Sequence, residues 1–298
     1  MNFDMEIFLK RKKYPIFSLL IILTTWFVFV DLVDGDWTSI ENSLDNLGVF
    51  FYESLWPPNW KVLEARSYPV CDRNWDILCS PAYIGIVETL KIAFVSTGLG
   101  FILSLPLSTL ASRNLYRDSI ALPFRFLLSG MRTLPSLIWA IFFVILIGLG
   151  PISGVMAMTF YTIGYLGKLQ YETIEGLSKD PLDAAKAMGL SNFEIIMRVV
   201  IPESANNLIS QLLFMFEYNV RHGSVIGIVG AGGIGYYIST YLKFLQYDKV
   251  MALLIVLFFV VVIIDLLSIK ARSFFVDDVN YKYPSFLEAI LRSKNDES

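Results

Sequence analysis

Long apolar runs separated by short polar segments make up most of the chain. The run 14–30 carries no charged side chain, and a second charge-free run extends over 92–112. The apolar core of a bilayer is about 30 Å thick, so one helical crossing needs about 20 apolar residues. The pattern therefore predicts two membrane-spanning helices, at about 14–33 and at about 84–112.

A third charge-free run, from 133 to 167, is too long for one ordinary crossing. Gly148-Leu149-Gly150-Pro151 interrupts it near the middle. Proline cannot continue a helix and glycine favours a helix end, so the interruption predicts two helices joined by a tight external turn. We expect the third helix at about 126–148 and the fourth at about 152–177.

The segment 178–202 is polar, and it predicts two short helices joined near residues 189–192. Pro181 is expected to open the first helix, because proline suits the first turn. Ser191 or Asn192 is expected to cap the second, because their side-chain oxygens accept hydrogen bonds from the free N–H groups of a helix start. The segment is thus a polar, helix-forming loop between two membrane spans.

Pro202 is expected to begin a fifth span that continues to about residue 225. A glycine-rich stretch, 227–235, follows it, and the apolar run 250–264 predicts a final helix. We therefore expect an all-α integral membrane protein with about six transmembrane helices.

Composition agrees with membrane embedding. The 298 residues are 55% hydrophobic and 17% charged, with a mean hydropathy of +0.58. Soluble domains carry about 45–50% apolar and about 25% charged residues. The chain is therefore expected to contact membrane lipid, and no nucleic-acid partner is expected.

Charge is distributed unevenly along the chain. Lysines and arginines precede the first run at 10–13, cluster over 113–132 and follow the last run at Lys270 and Arg272, whereas 34–81 is rich in acid. By the positive-inside rule, both termini and the 112–125 loop are expected to be cytoplasmic. The predicted organisation has four parts: a cytoplasmic tail with the first helix (1–33), a periplasmic segment (34–83), a membrane core with the 178–202 loop (84–272) and a cytoplasmic tail (273–298).

Both cysteines, Cys71 and Cys79, lie in the segment that is expected to be external. In an oxidising compartment they could close a short disulfide loop, and the alternative is two free thiols. Two cysteines and one histidine, His222, cannot supply a usual zinc site, so no metal site is expected.

Gly230-Ala231-Gly232-Gly233-Ile234-Gly235 fits the glycine pattern of dinucleotide-binding loops. That pattern needs a strand before it, a helix after it and an acidic residue about 20 positions on. Here a predicted transmembrane helix precedes it and Asp248 comes too soon, so close backbone packing is the favoured interpretation. The chain also contains no phosphate-binding loop of the G-x-x-x-x-G-K-[ST] type, and we expect no cofactor on it.

Glu217 and Arg221 are four residues apart in the predicted fifth span, hence on one helical face, where they could neutralise each other. An ionisable residue at membrane depth is a functional hypothesis by default, and a purely structural ion pair is the alternative. For an anionic cargo, Arg221 is the preferred attracting residue, with His222 beside it. Weaker candidates near helix ends are Glu88, Lys91, Lys168, Glu172 and Asp265.

Several residues of the polar loop occur at the spacing of a known docking segment: Asp183-Ala184-Ala185, Gly189, Val199 and Ile201-Pro202. They resemble the EAA loop of ABC importer permeases, which docks into a groove on the ATPase subunit. The family's leading glutamate is Asp183 here, and its usual leucine before the proline is Ile201.

Further strings resemble phosphonate-uptake permeases of the PhnE type within that family. The most specific runs from Phe216-Glu217-x-Asn219-x-Arg221 to the glycine-rich stretch, and Arg132-Thr133-Leu134-Pro135 is another. The resemblance covers about residues 84–272 and leaves 34–81 unmatched. Two departures stand out, because Tyr161 replaces a frequent histidine and His222 replaces a small residue.

The resemblance implies a type I ABC importer permease of the bacterial inner membrane, which acts as a homodimer and is not itself an enzyme. The implied partners are a cytoplasmic ATPase dimer, which would hold ATP and Mg, and a periplasmic phosphonate-type binding protein. The implied cargo is phosphonate, phosphite or hypophosphite. The implied ATPase-coupling residues are Asp183, Ala184, Ala185, Gly189, Ile201 and Pro202, and the implied pathway candidates are Glu217, Asn219, Arg221, His222, Gly230, Gly232 and Gly233.

Three alternatives remain open at this point. An importer of methionine, glycine betaine or another small solute would share the docking loop. A membrane-bound oxidoreductase would use the glycine-rich stretch for a nicotinamide or flavin. A structural membrane scaffold would stimulate no partner ATPase.

Overall fold

The computed structural model describes residues 2–33, 37–66 and 75–275, and all the regular elements in these ranges are helical. A first compact unit ends at Pro57, and a second begins at Pro58. The first unit contains helices α1 (Asn2–Val33) and α2 (Trp37–Phe50). The second contains α3 (Pro81–Ala111), α4 (Asp118–Thr133), α5 (Ser136–Ile147), α6 (Pro151–Glu175), α7 (Lys179–Ala187), α8 (Asn192–Ile195), α9 (Ile201–Ile226), α10 (Ile234–Lys243) and α11 (Tyr247–Phe275).

Helices α3 and α6 begin and end within a few residues of their predicted positions. The Ser80 hydroxyl accepts a hydrogen bond from the Tyr83 N–H at 3.2 Å, and Pro81 occupies the first turn, so the start of α3 is capped by local sequence. Gly148 to Pro151 forms the predicted turn between α5 and α6. The N–H of Gly150 in this turn donates to the Gly230 carbonyl at 2.9 Å.

The prediction of one straight third helix at about 126–148 is wrong. The chain instead forms α4 and α5, which meet at an angle of 87°. Pro135 cannot donate a helical hydrogen bond, and it disfavours the helical conformation of the residue before it. Leu134 accordingly adopts an extended backbone with φ −85° and ψ 134°.

Helix α9 begins at Ile201 with Pro202 in its first turn, close to the predicted start of the fifth span, but no break in the helical backbone precedes it. Helical backbone already starts at Asn192 and passes through a wide π-helical turn, Ile196–Val200, into α9. A widened turn accommodates a proline ring and the carbonyl that its missing N–H leaves unpaired. Beyond the glycine-rich stretch, the short helix α10 was not predicted.

Two helices in the described ranges are long and apolar enough to cross a membrane, Pro81–Ala111 and Tyr247–Ser273. Two bent pairs also pass when each is taken as one span: Asp118–Thr133 with Ser136–Ile147, and Asn192–Val229 with Ile234–Lys243. These helices support a membrane protein, and the number of six spans stays a prediction.

Helix α6 lies at the centre of the second unit and packs against α3, α4, α5 and α9. Small residues let its neighbours approach closely, as is usual between membrane helices. A Cβ atom on Gly164 would lie 2.7 Å from the Arg132 nitrogen and 2.9 Å from the Leu128 carbonyl oxygen of α4. This central position explains why α6 is richer in small and polar residues than α11.

Candidate coupling loop and translocation residues

The loop 178–202, here called the coupling loop, is held to the core by one face of α7. Leu182 and Ala185 are three residues apart, and only 3% and 1% of their surfaces are exposed. They belong to an apolar cluster that includes Ile174 at the end of α6 and Ile195 in α8. Because the buried face is anchored in this way, the opposite face of α7 is presented at the surface.

Two local devices fix the corner between α7 and α8. Gly189 has φ +74°, a left-handed conformation that glycine adopts without strain, and its N–H donates to the Lys186 carbonyl at 2.9 Å. Ser191 and Glu194 form a capping box, in which each side chain accepts a hydrogen bond from the other residue's N–H. The N–H and hydroxyl donated by Ser191 to the Glu194 carboxylate hold the pKa of that carboxyl below its ordinary value.

The structure divides the predicted coupling residues into two groups. Asp183, Ala184, Gly189 and Pro202 are exposed. Ala185 is buried, and Ile201 packs against the same apolar cluster. The first group is therefore available to a partner, whereas the second anchors the loop.

An exposed apolar ridge, which the sequence interpretation missed, adjoins the exposed group. Met188 and Phe193 are each 71% exposed, and Met197 is 51% exposed. Phe193 and Met197 are four residues apart on helical backbone, so their spacing was a usable signal. Large apolar side chains left open on a polar loop are typical of a protein-binding surface.

One polar contact joins the coupling loop to the segment after α3, and further contacts join that segment and the bases of α3, α4 and α6 to one another. The Asn114 side chain donates to the Ile174 carbonyl at 2.7 Å, and the Lys186 amine lies 3.5 Å from the Asn114 carbonyl. Arg125 of α4 donates to the Ala111 carbonyl at 2.8 Å and forms an ion pair with Glu175. The bases of α3, α4 and α6 are therefore tied to one another next to the coupling loop.

The predicted pair of Glu217 and Arg221 is present in α9, and the structure adds a second cation. The Glu217 side chain is 7% exposed and forms an ion pair with Arg221, while Arg272 of α11 lies 3.3 Å from its other oxygen. A buried carboxylate needs such partners, because an unpaired charge away from water is costly. In the sequence, Arg272 was considered only as part of the positive charge that follows the last apolar run.

Asn219 lies fully buried among three helices. Its amide donates to the Thr97 hydroxyl of α3 at 2.8 Å and to the Thr162 hydroxyl of α6 at 3.0 Å. In this conformation the side chain is a link between α3, α6 and α9, and its assignment to the pathway stays a prediction.

Tyr161 and His222, the two departures from the resembled family, meet on one patch through Tyr218. The hydroxyls of Tyr161 and Tyr218 are 2.8 Å apart. The His222 ring stacks on Tyr218 with 3.8 Å between the ring centroids. Arg221, whose side chain is 51% exposed, adjoins His222 in the sequence. The patch therefore combines aromatic rings with two hydroxyls, and Arg221, which pairs with Glu217, lies one position before His222 in α9.

The residues 227–235, here called the glycine rim, pack backbone against backbone. Gly230, Gly232 and Gly233 have φ values of +88°, +83° and +74°. The Ile234 N–H donates to the buried Thr89 hydroxyl at 2.9 Å. No strand precedes this stretch in the described ranges, so the geometry required for a dinucleotide-binding loop is missing there.

Cys79 is buried and takes part in a disulfide bond. Cys71 lies outside the described residues, and its pairing with Cys79 stays a prediction.

Residues 82–272 match the family described as the inner membrane component of binding-protein-dependent transport systems. The phosphate-import permease protein PhnE of Mycolicibacterium smegmatis is 35% identical over 201 residues, which make up 67% of this chain and 38% of that protein. The phosphite transport system permease protein PtxC of Stutzerimonas stutzeri is 28% identical over 256 residues, 86% of either chain. This chain therefore spans less than half of the first relative and most of the second.

Among solved structures, the MetNI methionine ABC transporter in an inward-facing conformation has a chain with a TM-score of 0.57 and 21% identity. The match covers 64% of this chain and 94% of that one. At this identity the likeness concerns the fold, and it agrees with the all-helical arrangement described above.

Proposed function

Because the chain belongs to the family of inner membrane components of binding-protein-dependent transport systems, we propose that it is the translocation subunit of an ATP-driven importer. Its cargo is phosphonate or a related phosphorus oxyanion such as phosphite, hypophosphite or phosphate. Two chains form the pathway, a cytoplasmic ATPase dimer hydrolyses ATP with Mg, and an external binding protein delivers the cargo. The chain itself breaks no bond.

The observation that carries this proposal is the construction of the coupling loop. Its buried side, through Leu182 and Ala185, is fixed to the base of α6. Its open side offers Asp183 and Ala184 beside the ridge of Met188, Phe193 and Met197. An ATPase that binds the open side would move α6 and α9 together with the loop. The buried contacts of Leu182 and Ala185 hold the loop to the base of α6, and α9 continues from the loop along helical backbone.

The relatives and the patch around Tyr218 support an oxyanion as cargo. The two relatives are named for phosphate import and phosphite transport. Arg221 and the hydroxyls of Tyr161 and Tyr218 supply donors at membrane depth, where an ionisable group usually has a functional partner. A phosphorus oxyanion accepts several such hydrogen bonds at once.

The aromatic patch also favours one alternative, a quaternary ammonium solute such as glycine betaine, since aromatic cages bind such cations. A cage needs ring faces arranged around the ligand. Here Tyr161 and Tyr165 both stack on Tyr218, with interplanar angles of 9° and 20°. The stacked rings and the neighbouring Arg221 fit an anion better than a cation.

The test is uptake into proteoliposomes that contain the chain with its ATPase and binding protein. We expect ATP-dependent uptake of methylphosphonate, phosphite or phosphate, and none of methionine or glycine betaine. Arg221→Ala should reduce oxyanion uptake about tenfold or more, the order expected for one charged hydrogen bond, and Arg221→Lys should restore part of it. Uptake confined to methionine or glycine betaine would refute the cargo, and an unstimulated ATPase would refute the importer.

A further inference from the structure

A cavity of about 710 Å³ opens between the start of α3, the turn 149–151, the glycine rim and α10. Three charged side chains line it: Arg66, Glu88 and Lys91. Two of these are cations and one is an acid, so the cavity carries a net positive charge. Concave sites lined by one excess sign of charge concentrate ions of the opposite sign.

Arg66 comes from outside the family match and is nevertheless held firmly in place. Its N–H donates to the Cys79 carbonyl at 3.2 Å, next to the disulfide, and its guanidinium donates to the Tyr237 hydroxyl at 3.1 Å. The Nε atom is buried without a hydrogen-bond partner among the described residues. A guanidinium presents five donors in a fixed fork, so Arg66 retains donors for a ligand.

Glu88 and Lys91 complete the charged lining from α3. In the described ranges, neither side chain lies within ion-pair distance of an opposite charge. The Glu88 carboxylate borders the glycine rim, since a Cβ atom on Gly232 would lie 3.2 Å from its Oε1. A ligand that carries both a negative charge and a hydrogen-bond donor would complement a lining of two cations and one carboxylate.

We propose that Arg66, Lys91 and Glu88 form a binding site for a singly protonated phosphorus oxyanion, separate from the patch at Tyr218. Arg66 and Lys91 bind the negatively charged oxygens, and Glu88 accepts the hydrogen bond of the P–OH group. Tyr237 positions Arg66. The identity of the anion rests on the proposed function, whereas the charge and protonation requirement follows from the cavity itself.

Glu88 makes this site selective against sulfate. Phosphate, phosphite and alkylphosphonates lose their last proton near neutral pH, so a P–OH group is available on them there, whereas the hypophosphite anion has none and is not a ligand of this site. Sulfate has no such proton, and its oxygens would face the Glu88 carboxylate without a hydrogen between them. The segment before α3 would thus contribute to ligand binding, because it supplies Arg66.

The experiment measures binding of methylphosphonate and of sulfate to the full chain, assembled with its ATPase in nanodiscs without ATP, by phosphorus NMR and radiolabel dialysis. Arg66→Gln and Lys91→Gln should each weaken methylphosphonate binding about tenfold to a hundredfold. Lys61→Gln removes an exposed cation of the same segment that does not line the cavity, and it should leave binding unchanged. Glu88→Gln should let sulfate compete.

The outcomes separate the site from the proposed function. A wild-type chain that imports oxyanions, with unchanged binding in Arg66→Gln and Lys91→Gln, would overturn the site alone. A chain that binds methylphosphonate through these residues and imports no oxyanion would overturn the proposed function alone. If Arg66→Gln fails to fold, Lys91→Gln decides, because Lys91 is exposed and its removal leaves no buried group unpaired.

Discussion

The coupling loop and the glycine rim lie beyond opposite ends of α9, and they are built in different ways. The coupling loop keeps its shape through side chains: Leu182 and Ala185 are buried, and Ser191 caps α8. The glycine rim keeps its shape through the absence of side chains, because the space around Gly227 is filled by backbone.

This difference determines where sequence change is tolerated. An exposed residue of the coupling loop can be replaced without disturbing the anchor beneath it, so function and stability can be separated there. A side chain added to the rim meets backbone atoms, which cannot rotate away. We therefore expect substitutions in the rim to affect folding and substitutions on the open side of the loop to affect transport.

The largest effect is expected from Gly227→Ala. The new Cβ atom would lie 2.6 Å from the Tyr236 nitrogen and 2.7 Å from the Gly235 Cα atom. Overpacking typically costs about 1–3 kcal/mol, and a clash with backbone atoms, which cannot rotate away, lies at or beyond the upper end. The measurement is the yield and thermal unfolding of the purified chain in detergent. The control is Gly98→Ala, since no atom lies within 4 Å of that Cβ position. A Gly227→Ala chain as stable as the control would contradict the packing of the rim.

Asp183→Lys should give the next largest effect, on transport alone. Asp183 is exposed and its contact with Lys186 is long, at 3.9 Å, so the change in unfolding free energy should stay within about 0.5 kcal/mol. Because the open side of the loop is proposed to bind the ATPase, reversing the charge at position 183 should weaken that binding and lower oxyanion uptake about tenfold or more.

The matched control is Asp180→Lys, which makes the same change at an exposed position one turn earlier. Uptake and ATPase binding are measured for both variants. If both variants lost uptake equally, the net charge of the loop would matter and not the position of Asp183.

The same contrast explains what could be predicted from sequence. The turn before α6 follows from adjacent residues, Gly150-Pro151, and was predicted correctly. The start of α3 was predicted at about residue 84 from the apolar run alone, and it lies at Pro81, where Ser80 caps the helix. The two short helices of the coupling loop were predicted because their signals lie within 20 residues of one another, whereas the docking of an ATPase on them stays a prediction. The bend at Pro135 was missed, since the apolar pattern continues unchanged across it.

Contacts between distant residues could not be predicted from the pattern. Arg272 reaches Glu217 across 55 positions, and Asn219 reaches Thr97 across 122. Hydrophobic periodicity reports which face of a helix is buried and not which helix covers it. For the same reason the cavity at Arg66 became visible only in three dimensions.

Gly189→Ala should lower the stability of the chain moderately, less than Gly227→Ala in the glycine rim. This glycine also has a positive φ, yet no atom lies within 4 Å of its Cβ position. The cost is therefore backbone strain alone, about 1–2 kcal/mol. Thermal unfolding and uptake are compared with those of Gly189→Asn, because asparagine tolerates this conformation better. A loss of stability as large as that of Gly227→Ala would contradict the open space around the Cβ position of Gly189.

Ser191→Ala should have the smallest effect, confined to the start of α8. The substitution removes the acceptor for the Glu194 N–H and leaves the Glu194 carboxylate with one donor fewer. Exchange of the amide hydrogen of Glu194 should accelerate about fivefold, the order expected for one lost cap, while uptake changes little. Ser191→Thr keeps the hydroxyl and should exchange like the wild type.

The capping box also predicts how this protection depends on pH. Because the pKa of Glu194 is lowered in the folded chain, its contribution is complete above the ordinary pKa of a glutamate and is lost as pH falls through the lowered value. Protection of residues 192–195 in the wild type should therefore decline in acid, and the decline should be weaker in Ser191→Ala, where fewer donors stabilise the carboxylate. Identical pH profiles for the two chains would show that the cap does not fix this corner, and the rigidity of the coupling loop would then rest on Leu182 and Ala185 alone.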